Sequence, residues 1–255
     1  MATRKTPSKT PSKTASKTAS KTASKTVDHT VSAPPFAGFP ATALSFYERL
    51  EADNSRTFWK AHKAEYDDVV RRPMNALLEH VDAEFGPFHV FRPYVDVRFS
   101  KHKAPYKTHI GAYGESEGGA GFYVQFSASG LLVASGYYAM ASDQLDRFRR
   151  AVDDDARGNE LVSLVKQATK RGYSIGAIGE LKTAPRGYPK DHPRIELIRR
   201  KGLMGSKSWE PAAWLHTAKS IDRILGAWRD FAPVNEWLDT HVGPSTLPPE
   251  DAEGF

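Results

Sequence analysis

Cysteine is absent from this chain of 255 residues. Its absence excludes disulfides, thiolate catalysis and metal sites with cysteine ligands. No apolar run approaches the roughly 20 residues that a membrane-spanning helix needs, and the N-terminus lacks the apolar segment of a secretory signal. We therefore expect a cytoplasmic protein without a membrane partner.

Paired metal ligands and the common catalytic motifs are also missing. None of the nine histidines forms an H-x-H or H-x-x-x-H pair, so no metal and no cofactor are predicted. Residues 172–176 match G-x-S-x-G, but a nucleophile elbow needs a strand before the serine and a helix after it, and here the predicted order is reversed. The glycine-rich residues 118–121 lack the Gly-Lys-Ser/Thr of a phosphate loop.

Positive charge is concentrated in the first 32 residues. The net charge of +6 comes from seven basic residues there against Asp28, which leaves 29 basic (36 less 7) and 29 acidic (30 less 1) residues in balance. Residues 7–26 are five tetrads of the Pro/Ala-Ser-Lys-Thr type, without a large apolar side chain. Such a segment cannot offset its ordering entropy, so residues 1–33 are predicted to be a disordered tail. Residues 4–25 are a candidate contact for nucleic acid through release of counterions.

The remaining residues have enough apolar content for one core, since 40% of the chain is hydrophobic. Helical periodicity covers most of residues 42–81 and 142–170, and a closing helix is predicted from Pro211. Alternation predicts strands at 94–99, 122–127 and 131–138, with a hairpin turn at Ser129-Gly130. We predict an α+β fold with a mainly antiparallel central sheet and flanking helices, as a single domain over 34–240 with a frayed C-terminus at 241–255.

The densest cluster of basic residues lies between 92 and 109. Arginine suits bidentate binding of carboxylate or phosphate, and lysine supplies point charge. Strand alternation predicts that Asp96, Arg98 and Ser100 share one face. The candidate ligand-binding residues of this first basic segment are Arg98, Ser100, Lys101, Lys103, Tyr106 and Lys107.

A second basic segment spans residues 182–201. Its candidate ligand-binding residues are Lys182, Arg186 and Arg199. Because the folded part is neutral overall, segregated positive charge suggests one anion pocket formed by both segments. The alternative is two solvated loops with separate salt bridges, each of which contributes little.

Acid-base chemistry and base stacking are two further interpretations. Asp96 and His109 are the candidate catalytic acid and base, although an ion pair for Asp96 and a structural hydrogen bond for His109 remain open. The aromatic residues of the two central strands are candidates for stacking bases, or for core packing. They are Phe122, Tyr123, Phe126, Tyr137 and Tyr138.

Several motifs occur together and in order. They are Phe36-Ala37-Gly38-Phe39; Asp96-Val97-Arg98-Phe99-Ser100-Lys101 with Lys103-Ala104-Pro105-Tyr106-Lys107-Thr108; Leu181-Lys182 with Ala184-Pro185-Arg186-Gly187-Tyr188; His192-Pro193-Arg194; and Leu197-Ile198-Arg199-Arg200-Lys201. Over about residues 36–238 the chain resembles the bacterial and fungal family of conserved hypothetical proteins called domain of unknown function 2461. The resemblance implies no established activity and no catalytic residues, but it marks the two basic segments as the family's signature.

Three hypotheses on function follow. The leading one is a module that binds an anionic ligand, either a phosphorylated or carboxylated small molecule or a nucleic-acid backbone. The second is an enzyme that acts on such a ligand through Asp96 and His109. The third is association with nucleic acid through the tail.

Overall fold

The computed structural model describes residues 35–95, 104–116 and 118–248. The helices are α1 (Ala41–Ala52), α2 (Arg56–Tyr66), α3 (Arg72–Phe85), α4 (Ser142–Asp153), α5 (Asp155–Lys170), α6 (Ile195–Ile198) and α7 (Lys219–His241). The strands are β1 (Phe88–Val90), β2 (His109–Glu115), β3 (Gly121–Ser127), β4 (Gly130–Tyr137), β5 (Ser174–Gly176) and β6 (Leu203–Trp209).

A long helical run forms the N-terminal part of the domain. Ser55 begins α2 as its N-cap, because its hydroxyl accepts a hydrogen bond from the backbone N–H of Phe58. A π-helical turn (Asp67–Arg71) joins α2 to α3, and Pro73 lies in the first turn of α3. Proline has no N–H to donate, so the regular bonding pattern is interrupted at this point without ending the run.

The described strands form one antiparallel sheet in the order β1-β2-β3-β4-β6-β5. The α+β class and the antiparallel sheet are therefore as predicted, and β3 and β4 lie where alternation placed strands. Residues 96–99 of the strand predicted at 94–99 lie outside the described residues. Gly130 follows the β3–β4 turn with a φ of +104°, a backbone conformation that glycine adopts without strain. Strands β1 and β2 were not predicted from the sequence.

One face of the sheet is covered by helices. The side chains of Ala112, Val124 and Val133 are buried on this face. Helix α7 packs across it, and Asn235 donates a 2.6 Å hydrogen bond to the buried Ser135 hydroxyl. Phe231 lies so close to β6 that a side chain at Gly205 would overlap its ring.

The predicted start of the closing helix was wrong. The closing helix begins at Lys219 rather than at Pro211, because a 3-10 turn (Ala213–His216) comes first. The segment 241–255, predicted to fray, is described as far as residue 248, and within that part Thr246 donates its backbone N–H to the Asp143 carboxylate at 2.8 Å. Among the described residues, no helix combines the length and apolar content that crossing a membrane requires.

Candidate functional site

The second face of the sheet, here called the open face, carries a row of side chains across four strands. Tyr113 of β2 lies directly opposite Tyr123 of β3, which lies opposite Ala134 of β4, and Ala134 lies opposite Ser206 of β6. These residues alternate with the buried core residues, so they share the face away from α7. Tyr113 keeps 37% of its surface exposed although it lies on a strand inside the sheet.

The two tyrosines of this row lie over glycines of the neighbouring strand. A Cβ at Gly121 would stand 2.6 Å from the Tyr113 ring, and a Cβ at Gly111 would stand 2.6 Å from the Tyr123 hydroxyl. The Tyr123 hydroxyl also donates a 2.7 Å hydrogen bond to the Gln125 side chain. The Tyr113 ring therefore extends along the sheet towards Gly121, and the Tyr123 ring extends in the opposite direction, towards Gly111.

The leaning rings border a groove of about 460 Å³. Its floor includes the small residues Ala134 and Gly136, and its walls include Phe91 and Tyr138. Phe91 lies 6.3 Å from Tyr123 between ring centroids, and Tyr138 is 56% exposed. Pockets of this size that are mostly apolar, with a few polar groups, are typical of ligand sites.

Charge at the groove has opposite sign at its two rims. The Lys107 ammonium lies 5.1 Å from the centre of the Phe91 ring, within the range of a cation-π interaction. At the other rim, burial and the neighbouring Glu115 carboxylate raise the pKa of Tyr113 to about 12. Burial raises the pKa of Tyr123 to about 12 as well. Both phenols are thus uncharged at neutral pH, and Lys107 is the cation seated against the aromatic wall.

His109 begins β2 opposite Ser127, two residues from Gly111 and on the same face. Burial lowers the pKa of His109, and the neighbouring Lys107 lowers it further. The imidazole is therefore neutral at pH 7, and it continues the open face past the end of the groove.

Tyr106 points to a different part of the domain. Its ring stacks on Trp59 of α2 at 4.4 Å between centroids, and the ring is buried. Its backbone N–H donates to Asn54 at 3.1 Å, while its carbonyl accepts from the Asn54 amide at 2.9 Å. These contacts indicate that Tyr106 fixes the end of the first basic segment against α2.

In the second basic segment, Arg199 is held by two carboxylates and a carbonyl. Arg199 donates to the carbonyl of Leu181 at 2.6 Å and to the carboxylates of Glu180 and Glu196 at 3.3 Å each. Lys182 and Arg186 are exposed beyond this contact. Arg199 therefore connects its own helical turn to the residues just before the second basic segment.

The described parts of the two basic segments do not meet, and the expected shared pocket is wrong for them. His109 lies opposite Ser127, beside the turn at which β4 begins. The segment that contains Arg199 is held beside the residues that follow β4, because Lys201 accepts from the backbone N–H of Met140. Seven residue steps along β4 correspond to about 23 Å, so the described parts of the two segments lie at opposite ends of the sheet.

Five predicted site residues lie outside the described residues: Asp96, Arg98, Ser100, Lys101 and Lys103. The backbone on either side of them is paired, since Val95 donates to the Pro105 carbonyl at 3.0 Å. Within residues 35–95, 104–116 and 118–248, no group of three or more His, Asp or Glu side chains is placed to hold a metal ion.

The aromatic residues of the central strands divide between the two faces. Phe122, Phe126 and Tyr137 are buried, as core packing predicts. Tyr123 and Tyr138 line the groove instead, together with two residues that the sequence analysis did not select, Phe91 and Tyr113. Tyr113 and Glu115 are exposed and alternate with the buried Ala112 and Gly114, which is the pattern of a strand. The pattern was difficult to recognise because the buried residues are small and only weakly apolar.

Comparison with known proteins adds a family without adding an activity. A family model described as a conserved hypothetical protein, DUF2461, matches residues 42–237. Neither a curated protein nor a solved structure matches the chain. The match includes every described residue of the groove.

Proposed function

We propose that this chain, which belongs to the DUF2461 family of conserved hypothetical proteins, is a binding module for an anionic ligand that carries a flat unsaturated ring. The ligand lies in the open-face groove. The observation that carries the proposal is an apolar groove of about 460 Å³ with a lysine seated against its aromatic wall.

The shape of the groove supports a flat ligand. Gly111 and Gly121 let the tyrosine rings lie along the sheet, and Ala134 and Gly136 leave the floor low. A planar ring placed on this floor contacts aromatic walls, and stacked or edge-to-face aromatic pairs each contribute about 0.5–1.5 kcal/mol beyond burial of area. Gln125 at the groove supplies an amide that can orient polar substituents of the ring.

The charges support an anionic group at one end of that ligand. Lys107 stands at the Phe91 rim, whereas Glu115 stands beside Tyr113 at the other rim. A phosphate or carboxylate is attracted to the first rim and repelled from the second, so the ligand has one favoured orientation. The second basic segment has no part in this site, which revises the two-segment pocket expected from sequence.

The proposal is tested by calorimetric titration with 1-naphthyl phosphate, which combines flat rings with an anionic group. We expect saturable binding, with an affinity higher than that of inorganic phosphate alone or of 2-naphthol alone. Tyr123→Ala removes a wall and weakens the affinity about tenfold. Lys107→Ala weakens it less and flattens its dependence on salt, because a partly exposed charge is screened.

Two matched variants keep the result interpretable. Tyr123→Phe retains the ring and keeps most of the affinity, so it separates stacking from the hydroxyl. Lys166→Ala removes an exposed lysine of α5 and leaves binding unchanged. Equal binding of inorganic phosphate and 1-naphthyl phosphate, or wild-type affinity of Tyr123→Ala, contradicts the proposal.

A further inference from the structure

Resting on the proposed function, we infer that the ligand class is single-stranded nucleic acid, with successive bases stacked along the open face and the phosphate backbone at its basic rim. The inferred ligand has more than one ring because the aromatic side chains of the groove, here called the platforms, are spread over several strands. It also assigns a role to the basic N-terminal tail that a small-molecule site does not need.

The separation of the platforms is the first argument. Tyr138 follows β4 four residues after Ala134, and Ala134 is two strands away from Tyr113. At about 3.3 Å per residue and 4.8 Å per strand, the backbones that carry Tyr113 and Tyr138 are about 16 Å apart. The Tyr113 ring leans towards Tyr138, because it lies over Gly121 and Gly121 is opposite Gly136. The widest separation is therefore between Tyr138 and Phe91, whose backbone bonds to Gly111 at the level of Leu132, six residues or about 20 Å along β4 from Tyr138. One ring cannot contact both of these platforms, whereas a strand of bases can. Four-stranded antiparallel sheets that bind RNA stack two or three bases on aromatic residues in the same manner.

The kind of polar group on the face is the second argument. Beside its aromatic walls the groove offers the Gln125 amide, the Ser206 hydroxyl and strand backbone, and Glu115 stands at one rim. Amides and hydroxyls both donate and accept hydrogen bonds, which suits the edges of splayed bases. The Glu115 carboxylate suits an exocyclic amino group and repels phosphate, so it favours bases at that rim and backbone at the other.

Charge complementarity is the third argument. Lys107 lies at one rim, and residues 1–32 carry the entire net charge of +6. Lysines contribute to binding of a single strand by releasing counterions, which is independent of the bases. Proteins that bind single strands without strict sequence preference combine stacking on aromatic side chains with positive charge beside the nucleic-acid backbone. Among the described residues of the open face, Lys107 supplies this charge at the rim.

The test uses the full chain and fluorescence anisotropy of a labelled ten-residue uridine oligonucleotide. Its comparison ligand is a ten-residue oligomer of abasic units with the same phosphates. We expect the uridine oligomer to bind at least tenfold more tightly than the abasic one. Tyr113→Ala and Tyr138→Ala each remove most of that difference, while Tyr123→Phe retains it, with folding checked by circular dichroism.

A tail variant in the full chain separates the two components. Replacing Lys9, Lys13, Lys17, Lys21 and Lys25 by Gln lowers the slope of log affinity against log salt by up to about 3.5. We expect the preference for bases over abasic units to persist in this variant. Loss of all discrimination in the wild-type chain, or unchanged discrimination in both alanine variants, overturns the inference and leaves a tail that binds polyanions.

The failure of the inference is distinguishable from failure of the proposed function. If 1-naphthyl phosphate binds and responds to Tyr123→Ala while the oligonucleotide shows no preference for bases, only the nucleic-acid assignment is wrong. If neither ligand responds to the groove variants, both are wrong. A concentration-dependent dimer that Tyr138→Ala dissociates in sedimentation experiments identifies a second copy as the occupant and also overturns the inference.

Discussion

At the scale of single residues, the groove depends on the glycines that receive the two tyrosine rings. We predict that Gly121→Ala displaces Tyr113, because the new Cβ would stand 2.6 Å from the ring and contacts this short do not occur. The displaced ring loses its packing on the sheet, so the variant is destabilised by about 1 kcal/mol and binds 1-naphthyl phosphate less tightly. Urea unfolding and calorimetry measure the two effects.

A double-mutant cycle identifies the clash as the cause. In a Tyr113→Ala background the new Cβ at residue 121 meets no ring, so Gly121→Ala is expected to cost much less there. Coupling energies between contacting residues are about 0.5–3 kcal/mol. Additive effects of the two substitutions are the outcome that excludes this contact.

His109 gives a pH prediction with a definite sign. Burial first and Lys107 second lower the pKa of His109 below its ordinary value of about 6.5. Between the folded and unfolded pKa values the unfolded chain binds more protons, so the free energy of unfolding rises with pH through that interval. The contribution of the neutral His109 imidazole to the free energy of unfolding is complete above about pH 6.5, and it is lost as the pH falls through the folded pKa.

The pKa of His109 can be measured by an NMR titration of its ring protons, assigned by comparison with His109→Gln. Lys107→Ala removes the repulsion and is expected to raise the pKa towards 6.5, although burial still holds it lower. An ordinary pKa in the wild-type chain, or no response to Lys107→Ala, contradicts the environment described for this residue.

Some residues of the site could be predicted from sequence and others could not. Lys107 and His109 were selected because they belong to a run of positive charge, and charge density is visible along a chain. Tyr113 was missed because Gly111, Ala112 and Gly114 reduce the contrast between polar and apolar positions on which a strand is recognised. The ion pairs of Arg199 were not predicted, because one carboxylate partner, Glu180, lies 19 positions earlier, while the other, Glu196, lies in its own helical turn.

At the scale of elements, the end of α4 depends on one buried arginine. Arg194 donates to the carbonyls of Val152 and Asp153 at 2.6 and 2.8 Å, and to Asp155 and Asn159 at 2.9 and 3.1 Å. The last carbonyls of a helix have no partner within it, so this side chain supplies one. We predict that Arg194→Lys destabilises the protein by about 3 kcal/mol, since a lysine cannot reproduce the fork of donors.

The measurement is urea unfolding monitored by circular dichroism, with Asp155→Asn as the matched control. The Asp155 side chain is 92% exposed, so weakening its ion pair with Arg194 costs less than about 1 kcal/mol. A similar loss in both variants means that the ion pair, and not the bonds to the helix end, carries the effect.

The elements found from sequence are those whose patterns are long and regular. Strands β3 and β4 each have seven or eight residues joined by a tight turn, and their alternation is clear. Strand β1 has three residues, too few for a period to be recognised. The start of α7 was placed too early because proline is common in the first turn of a helix, and here it precedes a 3-10 turn instead.

At the scale of the whole molecule, the arrangement of layers explains both the core and the groove. Helices α3 and α7 pack on one face of a six-stranded sheet, so the residues on alternate positions of each described strand reach the core or the open face. The periodicity of the sequence predicts this alternation, but it does not predict which face of the sheet is covered by helices. The length of the sheet likewise separates the described parts of the two basic segments. No local sequence pattern predicts such a distance.

The closing contact of the domain gives the last prediction. Burial alone would raise the pKa of Asp143, but hydrogen bonds from the Thr246 backbone, Ser245, Arg147 and the Thr246 hydroxyl hold it well below its usual range. The stabilisation is therefore present above the unfolded pKa of about 3.9 and is lost as the pH falls through the folded value.

Asp143→Asn is expected to lower the free energy of unfolding by about 2 kcal/mol at pH 7, because an amide accepts these bonds less strongly than a carboxylate. Between pH 4 and pH 2 the difference from wild type should shrink, because the unfolded wild-type chain takes up a proton at Asp143 that the folded protein does not bind. Thermal unfolding at several pH values measures the difference, and hydrogen exchange at residues 242–247 should increase in the variant at neutral pH. A constant difference across the acid range would mean that the Asp143 carboxylate is not held in its charged form by the C-terminal segment.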